Sequence, residues 1–309
     1  MIEPARETAD YQLFGLKVRS EIPLPELFTD DSDGLPQVTI RNAPVEPKGK
    51  DAGLRLDREA LLLTIPQVAR YRIHNGKEIL VETEAGAAAR NVRLYLLGSA
   101  FGALLHQRGL LPLHANAVEI DGRAVVFMGE AGAGKSTLGA WFHDHGFRVI
   151  ADDVCVVRFD QNGSVLACPG LPRLRLWKEA LEATGRTASQ YPRSYCGDES
   201  FDKYDVSITS NAIRDPSQMA AVFTLDRGLE FAVDRLNGIE AIHTVFDNTY
   251  RGTYLDRVDG HRGHWSAAVE LVRKVPIYRL ARVWGIDRLD DQCELILDCV
   301  QNGSPAQRS

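Results

Sequence analysis

The chain has 309 residues, of which 44% are hydrophobic and 25% are charged, and its formal net charge is −6. This length and composition are typical of a globular protein with a substantial core, in one large or two modest domains. The negative charge and the scattered arginines exclude general nucleic-acid binding, because no basic stripe could neutralise a phosphate backbone.

No segment of the sequence has the pattern of a signal peptide or of a membrane span. The N-terminal segment MIEPARETADYQ has neither the basic nor the apolar region of a signal peptide. The longest apolar stretch, residues 94–105, is too short to span a bilayer and is predicted to be a buried helix. The five cysteines form no CxxC pair, which fits a reducing compartment. We therefore expect a cytoplasmic protein that binds neither membranes nor nucleic acid.

Strands are predicted throughout the first ninety residues. Five short, partly alternating runs are separated by Pro, Gly, Asp and Asn: YQLFGLKV, QVTIR, LLLTI, VARYRI and EILVET. A helical pattern follows from Asn91 to Arg108, with Gly109 as its stop signal. The sequence thus predicts a smaller β-rich N-terminal region over residues 1–90 and a second domain over 91–309.

A hairpin is predicted around Asp121 and Gly122, which separate two apolar runs. In a two-residue turn Ile120 faces Arg123, so that His114 would lie opposite Gly129. A strand antiparallel to the next one is unusual in a simple doubly wound nucleotide-binding sheet.

A phosphate-binding loop follows the hairpin and opens a helix. It satisfies G-x-x-x-x-G-K-[ST], and its candidate ligand-binding residues are Gly129, Glu130, Ala131, Gly132, Ala133, Gly134, Lys135, Ser136 and Thr137. The glycines let backbone N–H groups surround phosphate oxygens, while Lys135 can reach the β- and γ-phosphates. The Ser136 hydroxyl can ligate Mg²⁺. The loop therefore predicts binding of a nucleotide and Mg²⁺.

Two aspartates, Asp152 and Asp153, follow the predicted strand FRVIA. A right-handed crossover would place this strand beside the one that feeds the loop, with its carboxyl end next to the phosphates. One carboxylate could hold Mg²⁺ and the other could accept a proton from an attacking hydroxyl. Both reach the site only if the strand ends or bulges here; the alternative is one metal ligand and one solvated or capping aspartate.

Farther along the chain, LPRLRLWKEAL is predicted to enter a helix near Trp177, and residues 194–207 are predicted to be a polar loop. MAAVFTL, FAVDRL and VPIYRL are predicted strands, and GIEAIHTVFDNTY and residues 289–300 are predicted helices. Five basic side chains are further site candidates. His114 could orient an aspartate or touch the γ-phosphate. Arg173, Arg175, Arg251 or Lys203 could neutralise a phosphoryl group.

Other nucleotide-binding classes fit less well. A GTPase needs NKxD, and DKYD at 202–205 lacks the asparagine. An ABC-type ATPase needs an LSGGQ-like segment, which is absent from the sequence. Kinases of small metabolites can also place aspartates soon after the loop, but they are usually shorter and lack the hairpin.

Residues 113–157, LHANAVEIDGRAVVFMGEAGAGKSTLGAWFHDHGFRVIADDVCVV, resemble the core of the bacterial HPr kinase/phosphorylase family. The shared features are the histidine before the hairpin, the loop, the short helix and the Asp-Asp pair. The resemblance implies an α/β fold: a P-loop core with a mixed sheet, similar to that of phosphoenolpyruvate carboxykinase, and a homo-oligomer, which is common in the family. It also implies catalytic roles for Lys135 and for Asp152 as general base, Asp153 and Ser136 as Mg²⁺ ligands, and His114 supporting the aspartates.

The E-[IV]-R-G-[LIV]-G segment of the HPr-phosphorylating enzymes does not occur in the sequence, which therefore does not predict HPr as the acceptor. YQLFGLKVRSEIPLPEL and LLGSAFGALLHQRGLLPLHANAV resemble the HPr-kinase-like proteins of peptide-biosynthesis clusters, including lasso-peptide tailoring kinases. We therefore predict an ATP- and Mg²⁺-dependent serine kinase acting on a peptide or small protein, with a lasso-peptide precursor as one candidate. The alternatives are a P-loop kinase of a small metabolite and a non-catalytic ATP-sensing regulator.

Overall fold

The computed structural model describes residues 7–46, 52–57, 60–198, 200–258, 260–283, 285 and 288–302. The chain forms two compact units. The first comprises the described residues of Met1–Leu110, Ser194–Phe201 and Thr253–Arg262; the second comprises those of Leu111–Arg193, Asp202–Gly252 and Gly263–Ser309.

The first unit contains an eight-stranded mixed sheet. Its strands are β1 (Ala9–Leu13), β2 (Leu16–Ser20), β3 (Phe28–Thr29), β4 (Val38–Asn42), β5 (Gly53–Asp57), β6 (Ala60–Ile65), β7 (Ala69–His74) and β8 (Glu78–Thr83). Their order is β3-β1-β2-β4-β8-β7-β6-β5, and β4 runs parallel to both of its neighbours. All five predicted strand runs lie in this sheet, and YQLFGLKV forms a hairpin that turns at residues 14–15.

Helices α1 (Ala89–Tyr95) and α2 (Phe101–Gln107) belong to the first unit and are joined by a π-helical turn, Leu96–Ala100. The Tyr71 hydroxyl donates a hydrogen bond to the Val92 carbonyl at 2.8 Å. The rings of Phe14 and Phe101 lie 6.1 Å apart. Because these helices pack on the first sheet, the units divide the chain after Leu110 and not at the predicted residue 90.

In the part of the chain that the structure describes, no helix is long and apolar enough to cross a membrane. All five cysteines are free thiols, and four of them are buried.

The second unit contains a nine-stranded mixed sheet and a two-stranded ribbon. Its strands are β9 (Leu111–Leu113), β10 (Ala115–Ile120), β11 (Arg123–Met128), β12 (Arg148–Ala151), β13 (Cys155–Phe159), β14 (Val165–Cys168), β15 (Arg173–Trp177), β16 (Lys203–Ser207), β17 (Ser217–Arg227), β18 (Ala232–Leu236) and β19 (Ile277–Arg282). The sheet order is β12-β10-β11-β17-β14-β13-β9, with β19 also on β17 and β18 on β19; β15 and β16 form the ribbon. The helices that follow are α3 (Lys135–Asp144), α4 (Lys178–Ala183), α5 (Gly238–Asp247), α6 (His261–Lys274) and α7 (Leu289–Asn302).

Strand β11 is buried on both faces, as its apolar sequence favours. Val126 and Met128 belong to a core cluster with residues of α5 and α6. Val125 and Phe127 belong to another cluster, with residues of α3 and α7. Phe127 stacks on Phe142 of α3, with ring centroids 5.6 Å apart. This packing holds the end of β11, where the phosphate loop starts, between two helical layers.

The predicted hairpin register is confirmed, because Ile120 pairs with Arg123 and Ala115 with Met128. The predicted neighbour of β12 is wrong. Strand β12 pairs antiparallel with β10, not with β11. The hairpin itself is the reason, since β10 occupies one edge of β11 and β17 pairs in parallel with the other.

The ribbon corrects one further expectation. Residues 203–207, predicted to be loop, form β16. The predicted start of a helix near Trp177 is confirmed, because α4 begins at Lys178, directly after β15. The alternation of buried residues explains the strands: Leu174 and Leu176 of β15 pack in the same core cluster as Val206. The ribbon places Trp177 directly across from Lys203.

Candidate functional site

The phosphate loop passes too close to its surroundings for side chains at two of its glycines. Gly129 has φ +143°, and a Cβ there would lie 3.0 Å from the Leu225 carbonyl oxygen. Gly134 has φ +81°, and a Cβ there would collide with the guanidinium of Arg282. The close backbone approach and the left-handed conformation at Gly134 therefore require glycine at these positions.

Lys135 begins α3 and is 6% exposed. Its Nζ donates hydrogen bonds to the carbonyl oxygens of Gly129 at 2.7 Å and Glu130 at 3.0 Å. Burial lowers the pKa of Lys135 to about 8, against the opposing effect of Asp153 and Asp152. The ammonium is thus held over the loop, and a bound anion would favour its charged form.

Both aspartates reach the site because β12 ends at Ala151, immediately before them. Asp153 adopts a left-handed conformation with φ +73°. The Ser136 hydroxyl donates a hydrogen bond to Asp152 Oδ1 at 3.0 Å. Asp152 is 5% exposed, whereas the side chain of Asp153 is 28% exposed. The partner of Ser136 is therefore Asp152 and not Asp153, which was the predicted second metal ligand.

Arg175 ties the two aspartates together. Its backbone N–H donates to Asp152 Oδ2 at 2.5 Å, and its Nη1 donates to Asp153 Oδ2 at 3.1 Å. Arg173 and Arg175 also contact Asp205, at 3.0 Å and 3.4 Å. The arginines of β15 thus orient carboxylates, and neither lines the cavity described below.

The two carboxyl groups differ in acidity. Burial raises the pKa of Asp152 to about 6, and the charge of Asp153 adds to this effect. Burial opposes ionisation of Asp153 as well, but Arg175, His114 and Lys203 lower its pKa overall. Asp153 is therefore the more acidic member of the pair, and Asp152 binds a proton more readily.

The raised pKa of Asp152 predicts a pH-dependent cost in stability. The wild-type protein should lose stability as the pH rises from the ordinary pKa of 3.8 to about 6, because in this range the carboxyl of the unfolded chain ionises while the buried carboxyl keeps its proton. Asp152→Asn removes this titration. Between pH 4 and pH 7 the free energy of unfolding of the wild type should therefore fall by about 1–3 kcal/mol relative to that of the variant. Urea unfolding at several pH values in ligand-free buffer measures the difference. A difference independent of pH would contradict the prediction.

His114 lies beside Asp153, one of the two aspartates that it was predicted to orient. Its Nδ1 is 3.0 Å from the Asp153 carbonyl oxygen and 3.6 Å from Asp153 Oδ1. Burial, together with Lys135, lowers the pKa of His114, although Asp153 opposes the shift. Because a carbonyl oxygen only accepts, Nδ1 carries the proton in this geometry, and Nε2 is an acceptor in the neutral ring.

Asn248 is a site residue that the sequence did not reveal. It follows α5, and its carbonyl oxygen accepts the His114 N–H at 2.7 Å. Its side-chain Oδ1 accepts the N–H of Gly129 at 2.8 Å, and its Nδ2 donates to the Thr244 carbonyl at 2.8 Å. One residue therefore bridges His114 and the first glycine of the loop, across the positions that the hairpin brings opposite each other.

Asn248→Ala should weaken binding of Mg²⁺ and ADP by roughly 5- to 30-fold, since the buried N–H of Gly129 loses its acceptor. Titration calorimetry measures the effect. Asn237→Ala, at the start of the same helix, is the control and should bind normally. Unchanged affinity in Asn248→Ala would show that the bridge does not shape the loop.

The loop, His114 and Asp153 share one cavity of about 420 Å³, a size suited to a small ligand. Its lining residues are His114, Asn116, Ala131, Gly132, Gly134, Lys135, Ser136, Thr137, Asp153, Trp177, Glu179, Ala180, Lys203, Arg282, Gly285 and Leu289. Four predicted site residues are not part of this lining: Gly129, Glu130, Ala133 and Asp152. Arg251 does not line it either; its guanidinium lies 5.6 Å from the centre of the Tyr250 ring.

Arg282 is another lining residue that the sequence did not reveal. It ends β19 and is 6% exposed. Its Nη1 donates to Gln292 Oε1 at 2.9 Å, and its Nη2 donates to the Ala133 carbonyl oxygen. Arg282 thus links the loop to α7, and no spacing near residue 282 would have indicated this contact.

The residues fit a nucleotide with Mg²⁺ in two respects. The loop has glycines with positive φ at Gly129, Gly132 and Gly134, which let its backbone N–H groups converge on an anion. The Ser136 hydroxyl and Asp152 form an oxygen pair at 3.0 Å, and hard oxygen donors are what Mg²⁺ prefers. Among the described residues no group of three or more His, Cys, Asp or Glu could hold a metal ion. Magnesium here would thus depend on phosphate oxygens and water, as is common for this ion.

Similarity to known proteins is found among solved structures. No protein-family model matches the sequence, and no curated protein matches it. Among solved structures it is similar to that of the Hpr(Ser) kinase/phosphatase from Coxiella burnetii, with 14% sequence identity and a TM-score of 0.35. The match covers 62% of this chain and 89% of that chain. The likeness is distant, and the function has to rest on the residues of the cavity.

Proposed function

We propose that the chain is an ATP- and Mg²⁺-dependent kinase that transfers the γ-phosphoryl group of ATP to a hydroxyl. One observation carries the proposal: the Lys135 loop, the Ser136–Asp152 oxygen pair and the Asp153 carboxylate meet at one site. Phosphoryl transfer needs charge neutralisation, a metal site and a group that takes the hydroxyl proton. This site contains all three.

The geometry favours an exchange of the two predicted aspartate roles. Asp152 is buried against the Ser136 hydroxyl, so we assign Mg²⁺ to this pair. Asp153 lines the cavity beside His114, where an acceptor hydroxyl can approach it. We therefore assign the general-base role to Asp153, with His114 and Arg175 as the residues that position it.

In the proposed reaction Lys135 and the loop N–H groups bind the β- and γ-phosphates of ATP. Asp153 takes the proton as the acceptor oxygen bonds to the γ-phosphorus, and ADP leaves with the electrons of the broken bond. Bound Mg²⁺ would neutralise phosphate charge at Ser136 and Asp152. Arg175 keeps Asp153 ionised, because its Nη1 donates to that carboxylate at 3.1 Å.

The acceptor is proposed to be a serine on a peptide or small protein. Support comes from the sequence resemblance of residues 113–157 to kinases that phosphorylate serine. A lasso-peptide precursor is the most specific candidate, since the N-terminal segment and residues 96–118 also resemble the tailoring kinases of such clusters.

A labelled-ATP assay tests the proposal with three acceptor pools: serine-containing peptides with free C-termini, small proteins, and a mixture of sugars and organic acids. Label should move to the peptide or protein pool with the wild type, and not with Asp153→Asn. Label in the metabolite pool would support the metabolite kinase. Nucleotide binding without transfer to any pool would support the ATP-sensing regulator.

A further inference from the structure

Lys203 occupies an unusual position at the start of β16. The ribbon register sets it opposite Trp177, and its Nζ lies 4.9 Å from the centre of the Trp177 ring. Trp177 is 43% exposed although it is large and apolar. Among the described residues, the Lys203 ammonium forms no hydrogen bond or ion pair, so the ring face is its main contact. Such a cation–π contact holds an ammonium in place without consuming its three N–H donors.

The cavity gives this ammonium a defined charge environment. Lys203 and Lys135 line the same cavity, together with Asp153. Burial lowers the pKa of Lys203, and Asp153 counteracts this effect more than any other group. The charge of Lys203 in turn lowers the pKa of Lys135. Two half-buried or buried cations that repel each other gain most from an anion placed between them.

The two lysines differ in what holds them. The Lys135 ammonium donates to the loop carbonyls of Gly129 and Glu130, so it stays beside the nucleotide that donates the phosphoryl group. Lys203 lies on β16, which pairs with β15, the strand that carries Arg175. Its charge interacts with that of the proposed base Asp153. A phosphoryl group that moves from ADP toward an oxygen at Asp153 would therefore move toward Lys203.

We propose that Lys203, held over the Trp177 ring, is a second phosphoryl-binding cation that contacts the group in transfer and not the ADP portion. This inference rests on the proposed kinase function and adds a residue to it. As the acceptor O–H bond breaks and its proton passes to Asp153, the new O–P bond forms and ADP leaves. Throughout this step Lys203 donates N–H groups to the oxygens of the moving phosphoryl group.

The inference can be tested without knowing the acceptor. ADP with Mg²⁺ and aluminium fluoride mimics a phosphoryl group in transfer, whereas ADP with Mg²⁺ lacks it. The wild type should bind the fluoride complex more tightly than Mg²⁺·ADP. In Lys203→Met this gain in affinity should be smaller by a factor on the order of 100, and the affinity for Mg²⁺·ADP should be unchanged. Lys203→Arg should keep part of the gain, because it retains the charge.

Lys178→Met is the matched control. This neighbouring lysine on α4 is 46% exposed, does not line the cavity and should leave both affinities unchanged. Retained Mg²⁺·ADP affinity also shows that Lys203→Met is folded. Equal binding of the fluoride complex by wild type and Lys203→Met would overturn the inference, and so would a wild type that gains nothing from fluoride. A wild type that does not bind Mg²⁺·ADP at all would overturn the proposed function itself.

Discussion

Replacing Asp153 by Asn should lower the rate of phosphotransfer by a factor of roughly 10²–10⁴, the range that a positioned base contributes. Binding of Mg²⁺·ADP should persist, because the loop and Lys135 are unchanged. The substitution is mild for the backbone, since Asn tolerates the left-handed conformation that Asp153 adopts at φ +73°. Initial rates with labelled ATP and calorimetry with ADP measure the two effects.

Asp152→Asn separates the roles of the two aspartates. If Asp152 holds Mg²⁺ with Ser136, its loss should raise the Mg²⁺ concentration needed for half-maximal rate, and excess Mg²⁺ should restore part of the activity. Asp153→Asn should not respond to excess Mg²⁺. Asp234→Asn, at an exposed position of β18, is the control for both. If excess Mg²⁺ restored activity to Asp153→Asn and not to Asp152→Asn, Asp152 would be the general base, as the sequence resemblance implied.

Lys135→Met should weaken binding of Mg²⁺·ATP and slow transfer, each by roughly 10²–10³, since a buried cation that meets two phosphates is lost. Lys135 is 6% exposed, and its ammonium donates to two loop carbonyls. Calorimetry with a non-hydrolysable ATP analogue measures binding, and the labelled-ATP assay measures transfer.

The variant also removes the contacts that hold the loop, so folding needs a separate check. Thermal unfolding of Lys135→Met, with Lys178→Met as the surface control, shows whether the domain remains intact. A folded Lys135→Met protein that binds the ATP analogue as tightly as the wild type would contradict the assignment of the loop.

Local sequence predicts the centre of the site well. The Asp121–Gly122 turn determines the pairing of β10 with β11, and Ala115 lies opposite Met128 as that turn requires. The glycines and Lys135 are recognisable because a phosphate cradle needs them at fixed spacing along one segment. In each case the interacting groups are separated by few residues, so the chain itself limits where they can lie.

Other elements were decided by competition between distant segments. Strand β12 was predicted beside β11, but the hairpin already fills that edge, and β12 pairs with β10 instead. Lys203 was predicted to lie in a loop, yet its segment pairs with β15 because Leu174 and Val206 share one core cluster. Neither outcome can be read from the residues concerned, because each depends on which partner strand is free.

The sequence by itself determined the hairpin, the glycine-rich turn that follows it and the aspartate pair that ends the next strand. Only the tertiary structure decided which aspartate meets Ser136, brought Asn248 and Arg282 to the loop, and placed Lys203 in the same cavity. The reason is physical: the first set depends on local backbone conformation, whereas the second depends on burial of apolar faces that lie far apart in the chain.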